Sequence, residues 1–402
     1  MEEKFVIVLK NCRLIPELTE GYDSDVGEIV IDGKYVREIR PANSAPYDDA
    51  EVLDLNGMTV LPGFFDLHAH LMFSHQDYNA LMLRPQNKYL LDCMTYAESY
   101  LRLGFTTIRD CGNDFYAGVA VRDAVCAGII DGARVITSGK ILTPTTRGNS
   151  SFGTLYKEVD DPNQMLAVCR QEMEQGCDFI KYMITGAVLN EGGEPGAMIS
   201  TPAEIRAIAS AADSLGTYVA AHCHGTQGIK EAIKNGVRTI EHASYMDEEC
   251  VELILKHGNT ISTIPTTAVA YTVSKGMYEG GVADEFMRKA QDAVVHMIAS
   301  AQMAEQAGVL VGFGTDLDRS FAEKFPGLEF SARSEMGISN LSILRQATIN
   351  SAKILHMDDL LGTVKAGKYA DLVVIDGKPD EDMRAMCQLP KYVFKEGTYL
   401  KN

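Results

Sequence analysis

No stretch of the 402-residue sequence approaches the ~18–20 apolar residues of a membrane-spanning helix, so no membrane partner is expected. Basic charge is also in deficit, with 37 Lys and Arg against 55 Asp and Glu and a formal net charge of −18. Nucleic-acid binding needs a basic surface that releases counterions from phosphates, and docking on anionic lipid needs the same sign, so neither is expected. The bland meaning of the acidity is solubility in a crowded cytoplasm. Cysteine lacks pattern. Nine are present, several in apolar or helical stretches (Cys93, Cys126, Cys169, Cys250), with no regular framework. Reduced thiols in a cytoplasmic protein are the expected state. The opening MEEKFVIVLKNCRL holds acidic residues and a short β-like run, without the long apolar segment or cleavage site of a secretory signal.

What is present suits a soluble globular enzyme, with 46% hydrophobic and 23% charged residues. The length allows one large domain and a smaller one. Residues 1–58 and 358–402 read alike, as short β-rich runs broken by Gly, Asp, Asn and Pro. Examples are Lys4–Leu14, Val26–Ile31, Ala370–Gly377 and Lys391–Leu400. Together they are expected to form one small β-sandwich built from both termini. Between them, residues 59–357 alternate eight apolar strand candidates with helical stretches. The strand candidates are Thr59–Leu67, Phe105–Asp110, Arg134–Ser138, Asp178–Ile184, Thr217–His222, Val237–His242, Thr260–Pro265 and Val309–Thr315. Most are continuous runs of Val, Ile, Phe and Leu, as strands buried on both faces should be. Thr201 before Pro202 marks a helix start, and glycines such as Gly216 and Gly308 punctuate helix ends. Eight β/α alternations predict an α/β fold of the (β/α)8 TIM-barrel type. A doubly wound open sheet is the structural alternative.

Six residues lie at or just past the ends of these strands: His68 and His70 in GFFDLHAHL, Lys181 in CDFIKYMIT, His222 in YVAAHCHG, His242 in RTIEHAS and Asp316 in VGFGTDLD. A parallel barrel gathers such ends at one mouth. His68 and His70 share a strand face and can take one metal together. Lys181 sits inside an apolar strand where a solvated ammonium has no place. It is either paired to a buried acid or, as the neutral amine, has added CO2 to become a carbamate whose two oxygens bridge two cations. His222 ends its apolar run and is read as a ligand, whereas His224 lies in the turn and suits a supporting or substrate contact. Glu241, beside His242, is expected to face the outer layer. Asp316 competes with an ordinary turn or cap aspartate. His75, His257, His296 and His356 end no strand and are read as ordinary. Taken jointly, the set predicts a binuclear metal site.

These motifs resemble the amidohydrolase superfamily over nearly the whole chain, within the branch of imidazolonepropionase-like and prolidase-like hydrolases. PGFFDLHAH matches the branch's opening, followed by DFIK, HCHG, EH and GTD. The resemblance implies His68 and His70 on the more buried metal, carboxylated Lys181 as bridge, and His222 and His242 on the second metal. It implies that Asp316 touches the buried metal and shuttles the proton. Two divalent ions are implied, zinc being the default for His and carboxylate ligands. They would supply a bridging hydroxide that attacks an amide carbonyl in Xaa-Pro or other dipeptides or N-acyl amino acids. Many prolidase-like members carry Gly-Gly-His after strand three, where this chain has Thr145-Thr146-Arg147-Gly148, and some carry tyrosine at the position of His224. Substrate recognition therefore need not follow the branch. Arg147 is the expected contact for a substrate carboxylate, assisted by His224, with the loop Thr266–Gly281 as a wall. The alternatives are a mononuclear deaminase or cyclic amidase on the same scaffold, or a non-enzymatic assembly protein. The expected partner is a small-molecule substrate, with a homo-oligomer open.

Overall fold

The computed structural model describes residues 6–75, 78–188, 190, 193–258, 260–277 and 283–402. It is an α/β protein in which the two chain ends share one sheet and the middle of the chain forms parallel strands with helices packed on them.

The N-terminal strands are β1 (Val6–Leu14), β2 (Val26–Asp32), β3 (Tyr35–Arg40), β4 (Glu51–Asp54) and β5 (Thr59–Pro62). The central ones are β6 (Phe64–Ala69), β7 (Phe105–Asp110), β8 (Arg134–Thr137), β9 (Ile141–Thr143), β10 (Tyr156–Glu158), β11 (Ile180–Met183), β12 (Val219–Cys223), β13 (Thr239–His242) and β14 (Ser262–Ile264). The C-terminal ones are β15 (Leu372–Ile375), β16 (Tyr392–Lys395) and β17 (Thr398–Lys401). Eight of these form the terminal sheet in the order β17-β16-β15-β5-β1-β2-β3, with β4 on β1. The seam between the two ends is the antiparallel pairing of β5 with β15, Leu61 opposite Val373. Ile7, Leu9, Ile29, Ile31, Leu372 and Val374 make its apolar core.

Side chains reinforce that seam. Arg13 forks onto Asp380 through two bonds of 2.8 Å. Glu20 accepts from Thr363 Oγ1 at 2.7 Å and Lys365 Nζ at 2.6 Å.

The central strands form two all-parallel sheets, β6-β7-β8 and β10-β9-β11-β12-β13-β14. β6, β7, β11, β12 and β13 are buried at every position, as strands covered on both faces should be. Asp178 N–H donates to Thr137 O at 2.8 Å, alongside β8 and β11. On the other side the segment 309–316 lies between β14 and β6. Val311 bridges Thr263, Leu67 N–H donates to Phe313 O at 2.7 Å, and Asp316 N–H donates to His68 O at 2.8 Å. Gly314 permits this approach, because a Cβ there would stand 2.7 Å from the His68 Cβ.

Two strand expectations change. Thr59–Leu67 is two strands, since the Pro62-Gly63 step passes the chain from the terminal sheet to the central one. Gly63 packs so closely on Thr106 that a Cβ would collide with its side chain. Val309–Thr315 forms single bridges and hydrogen bonds rather than a regular ladder, because glycines 312 and 314 interrupt its side-chain rows. The helix Pro202–Ser214 begins as its sequence signals. Thr201 accepts from the Glu204 N–H, and the Glu204 side chain accepts from the Thr201 N–H. No described helix is long and apolar enough to cross a membrane.

Candidate metal centre

His68 leaves β6 and His70 follows it, Lys181 stands within β11, His222 in β12, His242 ends β13, and Asp316 follows Gly314 and Thr315. All line one cavity of about 820 Å³, part of it continuous with solvent, and His224 joins them.

Each imidazole has one nitrogen committed to the protein. His68 Nδ1 lies 2.7 Å from Glu241 Oε2, His70 Nδ1 3.0 Å from Gly112 O, and His222 Nε2 3.1 Å from Gly186 O. His224 Nδ1 meets Ser244 Oγ at 2.7 Å, and His242 Nδ1 meets Thr266 Oγ1 at 2.7 Å. Carbonyls and carboxylates only accept, so His68, His70 and His222 must donate from those nitrogens. That leaves a lone pair on the opposite nitrogen, as metal-ligating histidines require. Burial, reinforced by Lys181, drops His70 to about 4 and His224 to about 3. Burial also holds His68, His222 and His242 well below the ordinary histidine range, helped by Lys181, His224 and His222 respectively. All five are therefore neutral at pH 7, the ligating form.

The free atoms fall into two groups. His68, His70 and Asp316 can each offer one ligand atom within a common 4.8 Å, and so can His222, His224 and His242. In the first, His70 Nε2 stands 3.5 Å and His68 Nε2 3.9 Å from Asp316 Oδ1. In the second, His242 Nε2 is 2.8 Å from His222 Nδ1. Lys181 Nζ is 3.3 Å from His68 Nε2. Lys181 is 1% exposed, and among the described residues no carboxylate forms an ion pair with it. The donor set thus fits cations: neutral imidazoles, three of them with fixed tautomers, a carboxylate, and a buried amine without an acid.

Backbone strain helps aim these groups. His242 and Asp316 both adopt left-handed conformations, with φ of 68° and 55°, which non-glycine residues rarely occupy without compensation. At His242 this corrects a sequence expectation. Glu241 does not face outward; it is fully buried and turned to His68. Strand alternation would send its neighbour the opposite way, but the left-handed turn at His242 brings that ring to His222. Burial alone would raise the Glu241 carboxyl. The Arg109 guanidinium, 2.7 Å from Oε1, and His68 overcome this and hold it at about 2. Arg109 is itself anchored to Leu67 O at 2.7 Å and Thr239 Oγ1 at 3.0 Å. Sequence reasoning missed Arg109; the arginine inside the buried strand FTTIRD was the available signal. Asp66 is a second missed support. It accepts from His68 N–H and Thr315 N–H at 3.0 Å each and from Thr315 Oγ1 at 2.6 Å, tying β6 to the segment that carries Asp316.

Burial pushes Asp316 up to about 7. Arg147 lies exposed in the turn after β9 and is not among the residues lining the cavity. The expected wall Thr266–Gly281 is a helix over Thr267–Ser274 whose Val269 and Ala270 line the cavity; residues 278–281 lie outside the described residues.

The family model described as "Amidohydrolase family" matches residues 59–399. An ochratoxinase from Aspergillus niger is 26% identical, over 98% of this chain and 83% of its own length. An imidazolonepropionase from Streptomyces avermitilis is 26% identical, over 87% of this chain and 80% of its own. Among solved structures, a prolidase complexed with N-methylphosphonate-L-proline superposes with a TM-score of 0.87 at 30% identity, covering 99% of this chain and 100% of that one.

Proposed function

As the chain belongs to the amidohydrolase family and is a hydrolase acting on carbon–nitrogen bonds, we propose that it uses two divalent metal ions to cleave the amide bond of Xaa-Pro or other dipeptides or of N-acyl amino acids. The observation that carries this reading is the pair of ligand groups on one cavity, with acid-free Lys181 3.3 Å from His68. His68, His70 and Asp316 would hold one ion and His222 and His242 the other, with Lys181, carboxylated by CO2, between them. Zinc is the default choice for such donors. When bound, the ions would polarise the amide carbonyl and lower the pKa of water toward ~7.

The protein's own groups do the rest. Asp316, at the cavity edge of the first group, takes a proton from the attacking water and returns it to the amide nitrogen as the C–N bond breaks. His224 directs its free nitrogen at the cavity and contacts the substrate. Arg147, exposed on its turn, is left to substrate groups that protrude from the mouth. The small-molecule partner and a cytoplasmic setting go with this reading, which the nine free cysteines suit.

The scaffold we infer is a (β/α)8 barrel over residues 59–357 with a small β-sandwich from 1–58 and 358–402. Supporting the barrel are the hydrogen bonds flanking both parallel sheets, Asp178 to Thr137 and Leu67 to Phe313. Supporting the terminal domain is the pairing of both chain ends in one sheet.

Metal analysis combined with a peptide and acyl-amino-acid assay tests the function. Lys181→Ala is expected to lose one ion and activity together, and Asp316→Asn to lose turnover while binding metal. Full metal content and rate in Lys181→Ala would end the carbamate assignment. One ion per chain in the unaltered protein, with ammonia released from purines, would favour the mononuclear deaminase instead.

A further inference from the structure

The cavity is polar only where the ligand groups converge. Above them its walls are apolar: Phe73, Ile141, Phe152 and Leu155 on one side, Val269 and Met297 among the rest. They come from separate segments, namely the turn after β6, β9 and its connection to β10, and the helices Thr267–Ser274 and Asp284–Ala307. Phe152 and Tyr156 pack as a ring pair at 5.1 Å and 47°, and Phe73 packs on His70 at 5.1 Å. Among the described lining residues, Asp316 is the sole carboxylate and Lys181 the sole amine, and both belong to the ligand groups. A charged side chain entering here would lose its hydration and find no partner away from the catalytic groups. An apolar one would exchange water for ring edges and methyl groups. Met297 adds an unbranched, adaptable contact.

One polar atom interrupts this wall. The Tyr156 hydroxyl has no hydrogen-bond partner among the described residues, and its ring lines the cavity. The hydroxyl is thus open to the solvent of the cavity, and an acceptor on the occupant would take the place of that water.

Resting on the amide-hydrolysis reading, we propose that the substrate is an amide bearing a large apolar side chain, aromatic or branched, seated against Phe152, Leu155, Val269 and Met297, with an acceptor near the bond to be cleaved that receives the Tyr156 hydroxyl. Phe152 is then a specificity determinant and Tyr156 a substrate contact, and charged side chains are disfavoured.

The test uses the full-length, metal-loaded chain and two amide series. One holds alanine as the leaving group and varies the acyl group through acetyl, hexanoyl, phenylacetyl and succinyl. The other holds acetyl and varies the leaving residue through Ala, Leu, Phe, Asp and Lys. In at least one series kcat/KM is expected to rise by roughly tenfold or more from the smallest to the aromatic member, with charged members below the smallest. Phe152→Ser should shrink that ratio. Tyr156→Phe should lower kcat/KM throughout the preferred series while leaving the ratio in place. Flat series, or a preference for a charged member, would overturn the proposal, and an unaffected Tyr156→Phe would overturn the hydroxyl contact.

If neither series is hydrolysed, the amide reading has failed, and calorimetric binding of phenylacetamide against acetamide still decides the cavity's preference. Tighter binding of the aromatic amide, weakened by Phe152→Ser, upholds it. Equal binding of the two removes it.

Discussion

At the scale of single residues, the proposed metal centre would depend on which nitrogen of each imidazole is left free. Glu241 makes that choice for His68, and Arg109 keeps Glu241 ionised while fully buried. Partners of this kind commonly tune metal affinity by about 10–100-fold. Glu241→Gln is therefore expected to weaken binding at the His68–His70 group by about that factor, read by competition with a chromophoric chelator. The group formed by His222 and His242 should be less affected, since Gly186 O and Thr266 Oγ1 hold those rings. Unchanged affinity would mean that Glu241 serves packing alone.

Among elements, the strands were legible in the sequence, because buried parallel strands carry apolar runs and the candidate ligands, Lys181 inside its strand excepted, stood at or just past the ends of such runs. The seven residues from His68 to Asp316 that now share the cavity were all singled out from that pattern. Glu241 was not, because period-two alternation assigns it the face opposite His242, and no local signal announces a left-handed residue at a histidine. Arg147 stands exposed on its turn, away from the residues that line the cavity; a cation in a loop near a strand end carries no information about whether the loop folds inward. Helix starts were more direct. Thr201, Pro202 and Glu204 form the capping box that their spacing describes. Thr201→Ala should lower unfolding free energy by about 1 kcal/mol, measured in urea, with metal content unaltered.

For the whole molecule, the joining of the two chain ends was visible as similar β-rich runs, but the long-range pairs that secure it were not, since residues some 345 positions apart leave no periodic trace. Glu20 illustrates the electrostatic part. Hydrogen bonds from Lys365 and Thr363 bring its carboxyl from 4.5 to about 2. The folded value lies below the unfolded one, so the stabilisation is complete above about pH 4.5 and fades as pH falls toward 2. Unaltered protein and Glu20→Gln should differ in urea midpoint at pH 7 and converge on acidification. The effect is modest because the Glu20 side chain is 44% exposed. The segment after β11 has a wider bearing. Gly186 lends its carbonyl to His222, while Ala187 and Val188, its immediate successors, line the cavity. Under the proposed function, substrate choice and ion retention would then rest on adjacent peptide units. A stretch transplanted from a relative to alter selectivity would have to return an acceptor to the same spot, or the exchange would empty the centre it was meant to retune.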